Sequence, residues 1–109
     1  MKMTNQEIVN QINSFGVVAG LPLPVRLTYA IRKNAKKLEA EYNDYYEALT
    51  ELKEKYKDDK ESPEYTKELK ELLNIEVDID FRMVPETIFD GANFDITLQQ
   101  MTALDFMIE

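Results

Sequence analysis

From Val25 to about Lys57 the chain runs without glycine or proline. Within it Ile31, Ala35, Leu38, Tyr42, Tyr45, Leu49, Leu52 and Tyr56 recur at alternating spacings of four and three. That rhythm is a heptad seam and predicts one long helix with glutamate and lysine on its other faces. A helix of that length extends about 50 Å. A small domain cannot cover all of it, so part of it must project or pack on another chain. After "KDDKES", Ser62 caps a second helix with Pro63 at its first position, and Tyr65, Leu69 and Leu72 carry the stripe on with Leu73 beside it. The short connection folds the two helices into an antiparallel hairpin over about 25–74.

The flanks read differently. Thr4 stands three residues before Glu7, a capping box, and Ile8, Ile12 and Phe15 follow at helical spacing with Val9 alongside. A short helix from Asn5 to about Ser14 is expected. In "GVVAGLPLP" the prolines bar a helix, and no lysine-containing phosphate motif follows, so the stretch is an apolar connector or a short strand. "NIEVDIDF", overlapping the expected strand "IEVDIDFRMV", alternates strictly. Ile75, Val77, Ile79 and Phe81 share one face of a strand, and Glu76, Asp78 and Asp80 the other. Pro85 ends this strand, a second short one is expected around Asn93 to Ile96, and Thr97 opens a C-terminal helix with Leu98, Met101, Leu104 or Asp105, and Ile108 near one face. The expected fold class is α+β. It is a single domain over 1–109: a short N-terminal helix, the long hairpin, and a small antiparallel sheet and C-terminal helix over about 75–109.

Composition narrows the chemistry. The 109 residues contain no cysteine, histidine or tryptophan. Disulfides, thiolate sites and the commonest general base are excluded. An enzyme would have to work with carboxylates, lysine, tyrosine or a hydroxyl, and none of these forms a recognisable catalytic motif, so the expectation is no enzyme and no cofactor. The net charge of −8 argues against direct nucleic-acid binding. "MKMTNQE" lacks the apolar core of a signal peptide, and no apolar run could span a membrane. A cytoplasmic protein with a protein partner is expected. The charge is uneven: +5 over residues 1–38, −6 over 39–75 and −7 over 76–109. Either the basic helix segment folds against the acidic third, or that third stays free to meet a partner.

Three groups are candidate partner-binding residues. Glu76, Asp78 and Asp80 could hold a hard cation, but metal sites draw ligands from several elements, and the alternation already suits the wet side of a sheet. Metal ligands are therefore not assigned. Among the six tyrosines, Tyr42, Tyr45 and Tyr56 fall on the seam, whereas Tyr46 lies off it and is the better interface residue. Arg32 and Lys36, one helical turn apart in "RKNAKK", suit a phosphate or an acidic partner, or else a solvated face.

"LPLPVRLTYAIRKNAKKLEAE", "ELLNIEVDIDF" and the terminal "ALDFMIE" together resemble a family of small phage and prophage proteins of Gram-positive bacteria. The resemblance covers most of the chain from Leu21. It rests on a leucine–proline entry to a long helix bearing Tyr29, Ile31, Lys33, Asn34, Lys36 or Lys37, Leu38 and Glu39, and on the Glu71–Val77 stretch. "KYKDDKES" stands where relatives often have a glycine-containing turn, so a different hairpin tip is implied. The family has no established catalytic residues to carry over. The resemblance implies a phage-encoded accessory protein acting in a bacterial cell, and small size, acidity, the lack of catalytic residues and the aromatic-bearing hairpin suit one that works by protein binding. Inhibition of a host defence system, in the manner of an anti-CRISPR protein, is the first expectation. A head or tail morphogenesis role, with a homodimer formed through the hairpin, is the alternative.

Overall fold

A computed structural model describes residues 1–90 and 95–109. Strand β1 (Lys2–Thr4) leads directly into helix α1 (Asn5–Ser14). The Thr4 hydroxyl accepts the Glu7 amide at 3.1 Å, and the Thr4 amide donates back to the Glu7 carboxylate at 3.2 Å. This reciprocal cap satisfies two otherwise orphaned helix donors. A 3-10 turn at Phe15–Val17 and the glycine at Gly20, with φ +81°, reverse the chain. That φ is open to glycine at no steric cost. The connector is packed rather than strand-like: Val18 is buried, and Leu21 and Leu23 lie against the core.

Helix α2 (Val25–Lys55) and helix α3 (Pro63–Leu73) form the hairpin, giving a molecule 56 × 23 × 17 Å in extent. All four buried residues of α2, Leu27, Ala30, Asn34 and Leu38, fall in its first half, and α3 has none. The core sits at one end, in two adjoining groups. Val18, Leu27, Ala30, Val84, Ala103, Leu104 and Met107 form one, and Met3, Ile8, Leu38, Ile79 and Phe81 the other. Phe106 touches both and meets Phe81 edge-on at 4.9 Å and Phe15 at 5.8 Å.

The alternating segment is a strand over a shorter span than its pattern predicts. Strand β2 covers Glu76–Asp78 and pairs antiparallel with β1, Met3 opposite Val77. The sequence pattern predicts a second short strand around Asn93 to Ile96. Asn93 and Phe94 lie outside the described residues, and Asp95 and Ile96 belong to no strand. Ile75 is 51 % exposed, against the expectation that it shares the buried face of Ile79 and Phe81. It sits at the turn out of α3, where its amide is tied to the Leu72 carbonyl, and its own carbonyl accepts the Asn5 amide at 3.0 Å.

Beyond β2 the chain belongs to no strand up to the bridge at Val84, and several of its peptide groups find separate partners. The Ile79 amide donates to the Met1 carbonyl at 2.9 Å. The Lys37 ammonium donates to the Asp80 carbonyl. The Arg82 amide donates to Asn34 Oδ1 at 2.7 Å, while Asn34 Nδ2 donates to the Arg82 carbonyl at 2.9 Å. Val84 forms a parallel bridge with Ile108, its amide on the Met107 carbonyl and its own carbonyl accepting the Glu109 amide. Helix side chains thus continue the ladder where no neighbouring strand does.

Helix α4 (Leu98–Leu104), capped reciprocally by Thr97 and Gln100, tightens into a 3-10 turn at Asp105–Met107. Its buried face is Ala103, Leu104 and Met107, and Leu98 is 84 % exposed, contrary to the expected face. The rotation is set by two amide tethers: Gln11 Nε2 on the Ala103 carbonyl at 2.7 Å, and Gln100 Nε2 on the Val17 carbonyl at 3.1 Å.

Asn34→Ala leaves both Arg82 peptide groups without partners, and the loss should be about 2–4 kcal/mol of unfolding free energy. Urea denaturation with an unchanged slope checks it. The Asn34→Asp variant should be similarly weakened at neutral pH and should recover as pH falls, because protonation restores a donor and removes a buried charge.

Candidate interaction surfaces

The sequence-predicted residues do not form one patch. Glu76, Asp78 and Asp80 are exposed on the outer side of the 76–80 segment. Asp78 is paired at 3.0 Å with the Met1 amino group. Among the described residues no three acidic side chains are grouped closely enough to hold a metal ion. Lys37, whose ammonium holds the Asp80 carbonyl, marks the side of α2 on which that segment lies. Tyr46 is nine residues further along α2, which turns it about 180° away and moves it about 14 Å along the axis. The acidic strand face and Tyr46 therefore look in different directions.

Tyr46 is 55 % exposed and stacks on Tyr42, centroids 6.1 Å apart and planes 26° apart; Tyr42 also lies 6.0 Å from Tyr45. The seam residues Tyr42, Tyr45, Leu49, Leu52 and Tyr56 are all half-buried. Two helices cover each other from one side only, so the seam stays partly open along its length. Burial first, then the neighbouring Tyr42 and Tyr65, pushes the Tyr45 hydroxyl above the usual tyrosine range.

The hairpin tip is a polar cluster. Tyr56 and Tyr65 meet edge-on at 5.6 Å. Ser62 accepts the Glu64 amide at 3.2 Å as the cap of α3, and its hydroxyl donates to the Glu64 carboxylate at 2.6 Å. That hydroxyl, followed by the backbone amide, holds Glu64 below the usual glutamate range. Glu68 is held below it by the Tyr56 hydroxyl first and then by the Lys55 ammonium, 3.1 Å from its Oε1. The "KYKDDKES" tip is thus closed without glycine, by backbone turns (the Asp59 amide on the Tyr56 carbonyl, the Ser62 amide on the Asp59 carbonyl) braced by these side chains.

Arg32 and Lys36 are exposed on α2. Among the described residues the ion pairs are Met1–Asp78, Lys55–Glu68 and Lys57–Glu54, so neither side chain pairs with the acidic third. The expected folding of basic helix against acidic segment is realised instead by Lys37 on a backbone carbonyl. Two residues outside the predicted set stand out. The Tyr29 ring lies 5.0 Å from the Arg82 guanidinium and 5.4 Å from the Lys33 ammonium. Asn34, fully buried, also donates to Met107 Sδ at 3.5 Å. The signal for Asn34 was present in the sequence: Leu27, Ala30, Asn34 and Leu38 share one helical stripe, and a lone amide on such a stripe needs a buried partner.

Comparison with protein-family models, with curated proteins and with solved structures finds no match to this chain. Among the described residues no helix is long and apolar enough to cross a membrane. On its own geometry the chain is an α+β protein with a projecting helical hairpin.

Two measurements follow. Glu64 and Glu68 are depressed in the folded state, so their stabilisation is fully present above the unfolded carboxyl range and is lost as pH falls through their folded values. Acidification into and below that range should move the Tyr56 and Tyr65 ring resonances before the core signals change, and Glu68→Gln should abolish the Glu68-linked part of that early step. Millimolar Mg²⁺, Mn²⁺ or Ca²⁺ should leave the melting temperature unchanged, because a bound ion would raise it.

Proposed function

We propose that this is a small acidic accessory protein, phage-encoded, that works by binding another protein through its hairpin. The observation that carries the reading is the run of α2 beyond Leu38. From there on α2 and α3 contribute no buried residue except the Ser62 cap, yet they display a tyrosine- and leucine-bearing seam, and Tyr46 beside it is largely exposed. Exposed aromatic side chains on a rigid helix bury area at low entropic cost, which is what interface hot spots require. The acids of the 39–75 stretch surround that seam, and an acidic surround selects a basic partner and speeds encounter. The resemblance to small phage and prophage proteins supports the setting. Within it, inhibition of a host defence protein that carries a basic nucleic-acid groove is the first reading.

A second reading is favoured by the half-buried seam itself. Two hairpins laid seam to seam would complete a four-helix arrangement, which suits a virion or morphogenesis accessory. Like charge on both copies opposes it at low salt and opposes it less at high salt.

Affinity capture with the tagged chain, from infected and uninfected bacterial lysate, separates the two. A host protein with a basic groove, recovered from both and released by salt, is expected. Tyr46→Ala should weaken that capture by about tenfold or more while circular dichroism is unchanged. Recovery of phage structural proteins from infected cells alone would replace the first reading by the second.

A further inference from the structure

A second surface of opposite sign lies at the other end of the molecule. The 80–85 segment runs antiparallel to the start of α2: residue 80 sits at Lys37, residue 82 at Asn34, and residues 82–85 beside Val25, Arg26 and Tyr29. Between them is an open groove of about 290 Å³. Its walls combine two kinds of group. Arg26 and Arg82 supply guanidinium forks, and Val25, Met83 and Pro85 supply apolar surface, with Val25 81 % and Met83 38 % exposed. Tyr29 is itself 46 % exposed and holds Arg82 by its π-face, with Lys33 against the same ring. The Arg82 backbone is fixed by Asn34, so the guanidinium is positioned at both ends.

In a chain with 21 acidic residues, none of Arg26, Lys33 and Arg82 has a carboxylate within 4.0 Å among the described residues. Two cations are thus gathered on one ring and a third, Arg26, lines the same groove, none with a neutralising partner among the described residues. Bringing like charges together costs free energy, and an incoming carboxylate relieves it. Arginine forks match carboxylate geometry in two parallel hydrogen bonds. We propose that this groove is a docking site for an acidic, extended segment of a partner protein, which seats an apolar side chain between Val25 and Met83 and its carboxylates on Arg26 and Arg82.

A nucleic acid fits less well. Its phosphates continue past so short a groove onto a protein of net charge −8, where each further phosphate is repelled. The apolar walls would also be left without a partner. The groove does not depend on the hairpin reading, since Tyr46 and Arg82 serve different surfaces.

Selection of randomised peptides displayed on a carrier, with the full chain as bait, tests the site. Enriched peptides should carry two or more acidic residues flanking an apolar one. Their binding should fall by about tenfold on the Arg26→Gln/Arg82→Gln double variant and at raised salt. Val25→Asp, at the exposed rim, is a second variant that places a repelling charge in the groove without touching the core. Tyr46→Ala should leave peptide binding unchanged, which separates failure here from failure of the hairpin reading. Absence of an acidic consensus, or a consensus that both groove variants still bind, would overturn the proposal. So would a groove that answers to inorganic phosphate or a single-stranded oligonucleotide, read at the Arg82 side-chain resonance, with no acidic peptide enriched.

Discussion

The amide of Asn34 closed on both peptide groups of Arg82 is the constraint on which the rest of the structure depends. An extended segment in a protein interior must find a partner for every buried amide and carbonyl. Over residues 76–78 that partner is β1, and at Val84 it is the chain around Met107 and Glu109. Between them no strand is at hand among the described residues. Asn34 fills the gap because a side-chain amide carries one donor and one acceptor, the same pair a neighbouring peptide would offer. Lys37 serves the Asp80 carbonyl one turn further on. Helix α2 is therefore both a wall of the core and a stand-in for a missing strand.

That arrangement fixes the position of each surface. With 79–84 held along the first half of α2, Ile79, Phe81 and Val84 reach the core and meet Leu27, Leu38, Phe106 and Met107. The same register carries Arg82 to Tyr29 and leaves Glu76, Asp78 and Asp80 outward. Apart from the Ser62 cap, the buried residues among those described lie at this end, and the hairpin beyond Leu38 has only its own two helices to cover its seam. Asn5 joins the two regions, its side-chain amide donating to the Leu72 carbonyl at the end of α3 at 2.9 Å. The core end is the more buried, and the projecting arm beyond Leu38 is the less buried, with Tyr46 exposed on it.

Much of this was legible in the sequence, for local reasons. Thr4 with Glu7, Ser62 with Pro63, and Thr97 mark helix starts by their own hydrogen bonds, so those starts could be placed within a residue, whereas the C-terminal helix ends earlier than the expected run to Ile108. The heptad seam from Ile31 to Tyr56 gave the hairpin and correctly set Tyr46 outside it. What failed was non-local. Alternation over 75–84 says that a segment is extended but not what satisfies it, so β1 and the Asn34 amide were missed and Ile75 was placed inside. Leu98 was misplaced because tethers from Gln11 and Gln100, not periodicity, set the rotation of α4. The grouping of Tyr29, Lys33 and Arg82 depends on residues 49 or more positions apart in part of the cluster, a proximity visible only once the 82–85 segment is laid along α2.

Amide hydrogen exchange resolved by residue tests the central claim most directly, that the core end is pinned through Asn34 and Arg82 while the hairpin is an independently opening arm. The Arg82 and Val84 amides should exchange among the slowest in the chain, through global unfolding, whereas amides from about Tyr45 through α3 open at lower cost. Rapid exchange at Arg82 alongside full protection in α3 would contradict the account and make the hairpin, not the Asn34 clamp, the stable centre of the fold.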